Sequence, residues 1–159
     1  MKSLFAALVA LLALAAAARA GDAPALLTIS AEGVDPVELT AADLASYEQR
    51  VLRATTEFTD STAVFSGPLV RDVLAPLIAV SPGATEVRLR ALNDYVATVP
   101  LDDFRRYDVI LATSMDGKPM SRRDKGPIWL MYPVDEHVEL QDPVYINRLV
   151  WQLADVSLR

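Results

Sequence analysis

The sequence contains no cysteine and a single histidine, His137. The first absence excludes disulfides, thiolate metal sites and cysteine nucleophiles. The second leaves at most one imidazole for a Ser-His-Asp triad or a zinc site. Glycine is sparse, with six in 159 residues. None of them forms the glycine-rich loop after a strand that cradles phosphates. The longest uncharged apolar run, Leu4 to Ala18, falls short of the roughly 20 residues that a membrane span needs.

That run instead has the marks of an export signal. Lys2 supplies the positive start, and Ala18-Arg19-Ala20 has the small-x-small pattern of a cleavage site. The sequence predicts a leader over residues 1–20, cut after Ala20, and one domain over residues 21–159. An uncleaved N-terminal anchor is the alternative; with no cysteine near Ala20, a lipoprotein anchor is excluded. A chain of that length is long enough for a real core. Once Lys2 and Arg19 leave, the 15 basic residues fall to 13 against 21 acidic ones, a net charge of −8. Nucleic acid is excluded as a natural partner, because phosphate binding wants a basic surface.

Along the chain, strand candidates outnumber helices. Ala25 to Ala31 reads as a first strand, Gly33 to Pro36 as a turn, and Val37 to Leu39 as the return. Thr40-Ala41-Ala42-Asp43 resembles a capping box, so a short helix should follow and end near Tyr47. Arg50 to Thr56 is the next strand. Pro68 fits the first helical position, and Leu69, Val73, Leu74 and Leu77 share one helical face that Pro76 should kink. Glu86 to Ala91 alternates as a half-buried strand, Asn93-Asp94 turns, and Tyr95 to Val99 pairs back. Leu101 to Phe104 opens a short helix, and Val109 to Ala112 is an apolar strand. Val134 to Pro143 reads as an acidic surface loop, and Leu149 to Val156 as the closing segment. These pieces predict a compact α+β fold of mixed sheets with short helices, and not a doubly wound one.

The most informative stretch is Gly117 to Pro133, GKPMSRRDKGPIWLMYP. A cationic loop with Lys118, Arg122, Arg123 and Lys125 meets a Gly126-Pro127 turn. Ile128 to Tyr132 then runs apolar and aromatic, as a buried strand does. Such a loop against a rigid sheet suits an anionic or polar ligand; a solvated hairpin before a core strand is the plainer reading.

In order and spacing, FSGPLVRDVL, NDYVATVPLDD, LATSMDGKPMSRRDKGPIWLMYP and RLVWQL resemble the oxidoreductase molybdopterin-binding domain, the fold of sulfite oxidase. The resemblance covers about Arg50 to the C-terminus. It implies a pterin ligand, possibly molybdopterin-like. Catalytic members place a molybdenum-ligating cysteine where this chain has Ala54 or its neighbours, and no thiol stands there. The resemblance therefore implies a non-catalytic, metal-free, periplasmic pterin-binding protein that relays ligand state to an inner-membrane sensor, such as a cyclic-di-GMP enzyme or a histidine kinase. The alternatives are an oxidoreductase domain or subunit that holds the cofactor without a cysteine, and a ligand-free interaction module.

A pterin is flat and polar, so it needs an aromatic or apolar wall and donors and acceptors for its edge. Trp129 and Trp151 are the candidate walls, and Tyr95 follows a turn from which it can reach the cleft; each of the three has a core role as its alternative. The resemblance places a basic contact at Arg148. Arg122, Arg123 and Lys125 suit an anionic tail. Asp94 and Asp116 suit ring N–H groups, and Thr55 and Thr56 stand where the metal would have been. The acidic stretch Asp135 to Asp142 is expected to face a basic partner, its loop ordered by the ligand.

Overall fold

The computed structural model describes residues 23–159. The expected leader and its cut after Ala20 lie outside the described residues. These described residues form a mixed α+β fold of three sheets and a few short helices.

The largest sheet has five strands in the order β2-β1-β11-β5-β6. They are β1 (Leu27–Ala31), β2 (Val34–Leu39), β5 (Glu86–Ala91), β6 (Val96–Pro100) and β11 (Leu153–Leu158). β1 runs parallel to β11, and every other pair in this sheet is antiparallel. Alternation explains which face is inside. Leu27, Ile29 and Ala31 are buried on β1, and Val87, Leu89 and Ala91 on β5. Arg88 and Arg90 take the other face of β5.

A second sheet has the order β3-β4-β8-β9, with β3 (Gln49–Ala54), β4 (Ala63–Pro68), β8 (Ser114–Met115) and β9 (Lys118–Pro119). The third pairs β7 (Ile110–Ala112) with β10 (Trp129–Met131). Every residue of these two strands is buried, as expected for apolar runs covered on both sides. β10 is the buried strand expected at Ile128 to Tyr132.

Helix α1 (Ala41–Ser46) carries the predicted cap: Thr40 Oγ1 accepts from the Asp43 amide, and the Asp43 carboxylate accepts from the Thr40 amide. Helix α2 (Val70–Val80) departs from expectation at its start and at Pro76. Pro68 ends β4 instead of opening the helix, and Leu69 takes the N-cap position. The helix continues past Pro76 to Val80, because Val73, Leu74 and Leu77 bury its inner face while Pro76 is exposed. Three strands are not expected from the sequence. β4 is broken in composition by Ser66 and Gly67, and the β8–β9 hairpin is built of a Ser, a Met, a Lys and a Pro. Gly67 is required by proximity: a Cβ there would run into the Leu111 carbonyl on the neighbouring β7. Helix α3 is Asp103–Arg106 and helix α4 is Pro143–Ile146. The acidic stretch is more ordered than a surface loop, since a 3-10 turn over Val138–Gln141 buries Leu140.

Candidate functional site

Three segments converge on a cavity of about 170 Å³. The β3–β4 connection contributes Phe58, and the β5–β6 turn contributes Asn93 and Tyr95. The strap from Ile146 to Trp151, between α4 and β11, contributes the remaining wall.

Each segment is held by local chemistry. Thr56 and Thr59 close a small turn, with the Thr59 hydroxyl donating to the Thr56 carbonyl and the Phe58 amide donating to Thr56 Oγ1. That turn presents Phe58. In the β5–β6 turn, Asn93 Oδ1 accepts from the Tyr95 amide at 3.1 Å. Asp94 adopts a left-handed backbone (φ 65°), which aspartate tolerates better than most residues. The strap is fixed twice: Trp129 Nε1 donates to the Leu149 carbonyl, and the Leu130 amide donates to the Val150 carbonyl. The Tyr95 hydroxyl donates to the Asn147 carbonyl at 2.8 Å and ties the turn to the strap.

The walls are aromatic and apolar. The Trp151 ring meets Phe58 edge-on with centroids 4.8 Å apart. Trp129 lies behind both, edge-on to Phe65 at 5.3 Å and to Trp151 at 6.4 Å. Ile146, Leu149 and Val150 complete the apolar lining. The polar side chains at the cavity are two carboxamides, Asn93 and Asn147, with the Tyr95 phenol. Carboxamides both donate and accept, so they suit the edge of a neutral heterocycle. Clefts that bury drug-sized ligands run to ~300–1,000 Å³. This cavity is smaller than those.

The predicted residues are distributed unevenly about this cavity. Tyr95 and Trp151 line it. Thr56 supports it through Phe58, while Thr55 turns away: its amide and hydroxyl both donate to Asp135. Asp94 sits in the right turn, but its carboxylate pairs with Arg90. Trp129 has no exposed surface, so it backs the wall instead of forming it. Arg122 and Arg123 lie exposed on a 3-10 turn, tethered where Gln152 Nε2 donates to the Arg122 carbonyl. Lys125 is nearer, its Nζ 5.5 Å from the Trp129 ring centroid. Asp116 is committed to the fold, its carboxylate accepting from the Val64 amide.

Arg148 is engaged within the fold. Its guanidinium pairs with the buried carboxylate of Asp103, to which the Tyr132 hydroxyl also donates, and it stacks on Tyr145. A buried carboxylate needs such a partner more than a cavity rim needs a cation. Burial, then the Asp103 charge, pushes the Tyr132 phenol far up. Burial also pushes Tyr107 up, to about 12.

Six lining residues were missed: Phe58, Asn93, Ile146, Asn147, Leu149 and Val150. Only Asn93 had a signal, as the first residue of the Asn-Asp turn. The others are ordinary apolar or amide side chains brought together by strands distant in sequence.

The side chains fit a ring better than a protein-held metal. Ala54, at the position the resemblance gives to the metal ligand, is a fully buried methyl at the end of β3, paired with Ala63. Among the described residues, no three His, Asp or Glu side chains are grouped to hold a metal ion.

Comparison with known proteins agrees with this fold. The family model of the oxidoreductase molybdopterin binding domain matches residues 23–136. The crystal structure of the sulfane dehydrogenase SoxCD from Paracoccus pantotrophus superposes with a TM-score of 0.60 at 16% identity. The superposition covers 83% of this chain and 37% of that one, so this chain spans little more than a third of its length. No curated protein matches by sequence. The family match overturns the expectation that the chain is no enzyme. It is a match to an oxidoreductase domain, and it points to an enzyme or enzyme subunit, cysteine-free though the chain is.

Proposed function

The chain belongs to the oxidoreductase molybdopterin-binding domain family, and on that premise we propose that it is the pterin-cofactor-binding domain or subunit of an oxidoreductase. The observation that carries this reading is the cavity between Phe58, Tyr95 and Trp151, closed by aromatic rings and edged by Asn93 and Asn147. The rings supply faces for a flat heterocycle, the carboxamides supply donors and acceptors for its edge, and the apolar strap keeps water from its buried side.

When bound, a cofactor of this class supplies the redox chemistry. The chain contributes binding and orientation. Neither Ala54 nor any other of these 159 residues is a cysteine, so none of them offers a thiolate to a metal. A metal arriving with the pterin would be held by the cofactor's own sulfurs.

Neopterin, a metal-free pterin, serves as a binding probe for the ring. It should raise the thermal midpoint of the wild-type chain. Trp151→Ala should weaken its binding by about 2- to 10-fold, as expected for a lost aromatic contact of roughly 0.5–1.5 kcal/mol. Chain isolated from its own host should carry pterin together with molybdenum and turn over an oxidisable substrate. A host-isolated chain free of pterin and indifferent to neopterin would overturn the cavity assignment. Pterin without metal or turnover would leave that assignment standing and overturn the oxidoreductase reading.

A further inference from the structure

The acidic excursion between β10 and β11 carries a feature that the ring cavity does not explain. Val138 is 81% exposed and Val144 is 55% exposed, the former the most exposed large apolar side chain among the described residues. Both line one shallow concavity, together with Glu139, Asp142 and Tyr145. From Gly126 to Asn147 the chain has four carboxylates, Asp135, Glu136, Glu139 and Asp142, and neither lysine nor arginine. Two valines held in water beside the Glu139 and Asp142 carboxylates serve no purpose in the core; of the cations nearby, Arg148 is paired with Asp103, and Arg106 lies over the Tyr107 ring.

The surface is also preformed. Leu140 anchors the 3-10 turn from beneath. Asp142 Oδ1 accepts from the Val144 amide at 2.8 Å and fixes the start of α4. The Tyr107 hydroxyl donates to Glu139 at 3.1 Å, and the Tyr107 ring packs edge-on against Tyr145. Tyr145 is pinned in turn by Arg148. Little ordering would be needed on contact, which is the usual way a small surface gains affinity.

We propose that this concavity docks a basic, apolar segment of a partner protein, with its apolar side chains on Val138 and Val144 and its cations against Glu136, Glu139 and Asp142. Charge decides the occupant. A second copy docking symmetrically would bring the same carboxylates face to face, whereas a cationic segment satisfies both the apolar floor and the rim. The area is small, so the contact is a transient one.

The test uses the full chain and a synthetic peptide of alternating Arg and Leu, with an Arg-Ser peptide as control. Backbone NMR should show shifts centred on Val138, Glu139, Val144 and Tyr145 with the Arg-Leu peptide. Its affinity should fall about tenfold or more in Val138→Ser/Val144→Ser, which removes the apolar floor. It should also fall in Glu136→Gln/Glu139→Gln, and as salt rises. These substitutions sit on exposed side chains, and an unchanged thermal midpoint checks that the fold is intact. The proposal fails if the shifts map elsewhere or if the valine pair makes no difference. It fails if Arg-Ser binds as tightly as Arg-Leu, since that is nonspecific charge attraction. It also fails if sedimentation shows the chain pairing with itself through Val138 and Val144.

Discussion

The Arg148 guanidinium faces a carboxylate, Asp103, that is only 4% exposed and that also accepts from Tyr132 at 2.8 Å. Removing one partner of a buried pair strands the other charge, at about 3–5 kcal/mol. Arg148→Ala should lose that much in urea unfolding, while Arg122→Ala, on an exposed turn, should stay within about 0.5 kcal/mol. Ligand binding alone would not separate these variants; stability does. The Thr40–Asp43 box gives a second prediction at this scale. Hydrogen bonds from the Thr40 hydroxyl and amide hold the Asp43 carboxyl below its usual range. A carboxyl depressed in the folded state contributes stability above its unfolded pKa and loses it as pH falls through the folded value. Thr40→Ala should therefore be less stable than the wild type at neutral pH, where the cap is intact. The cost should shrink in strong acid, measured as the difference in unfolding free energy at the two pH values.

Strand β10 and the strap that precedes β11 show how two tryptophans of one cluster take different roles. Trp129 lies on a strand buried on both sides, with Phe65, Phe58 and Trp151 around it. Trp151 sits one bridge away at the sheet's margin, half-buried, where the cavity begins. Trp129→Ala should cost about 3–5 kcal/mol, as for other fully buried aromatics. Trp151→Ala should cost about 2 kcal/mol or less and leave a folded, ligand-impaired protein. Circular dichroism melts of the two variants check this directly. The adjoining β4–β7 contact admits no side chain at Gly67. Gly67→Ala should be destabilised by about 3 kcal/mol, far more than the same change at the open turn residue Gly83, and comparative melts of the pair decide it.

Across the whole molecule, β11 is the keystone of the large sheet. It pairs in parallel with β1 and antiparallel with β5, so the N-terminal hairpin meets the rest of that sheet only through the last strand. A chain ending at Gln152 should lose the native sheet altogether, seen as collapsed NMR dispersion, because Leu153, Val156 and Leu158 leave the core together. Alkali gives a second global prediction. Tyr107 is raised to about 12 in the fold by burial first, and Tyr132 is raised as well. The folded state then keeps phenol protons that the unfolded chain releases near pH 10. Their stability is fully present below that pH and is lost as pH climbs toward 12. A thermal midpoint that falls over this range in the wild type and falls less in Tyr107→Phe/Tyr132→Phe, compared from each protein's own neutral value, is the expected outcome.

Local pattern determines a good part of this protein. The alternation of Leu27, Ile29 and Ala31, the Thr40–Asp43 cap, the Asn93-Asp94 turn and the unbroken apolar run at Ile128 to Tyr132 all act within a few residues. Their physical cause is therefore visible in sequence. The missing thiol was equally plain. β4 and the β8–β9 hairpin escaped because Ser66, Gly67, Lys118 and Pro119 are poor strand formers held in place by neighbouring strands. The cavity escaped for a related reason. Phe58, Ile146 and Leu149 become neighbours only when three sheets pack, and nothing in their own surroundings marks them. Arg148 had two destinations open to it, and only the burial of Asp103 beside it, 45 residues away in the chain, decided which one it took.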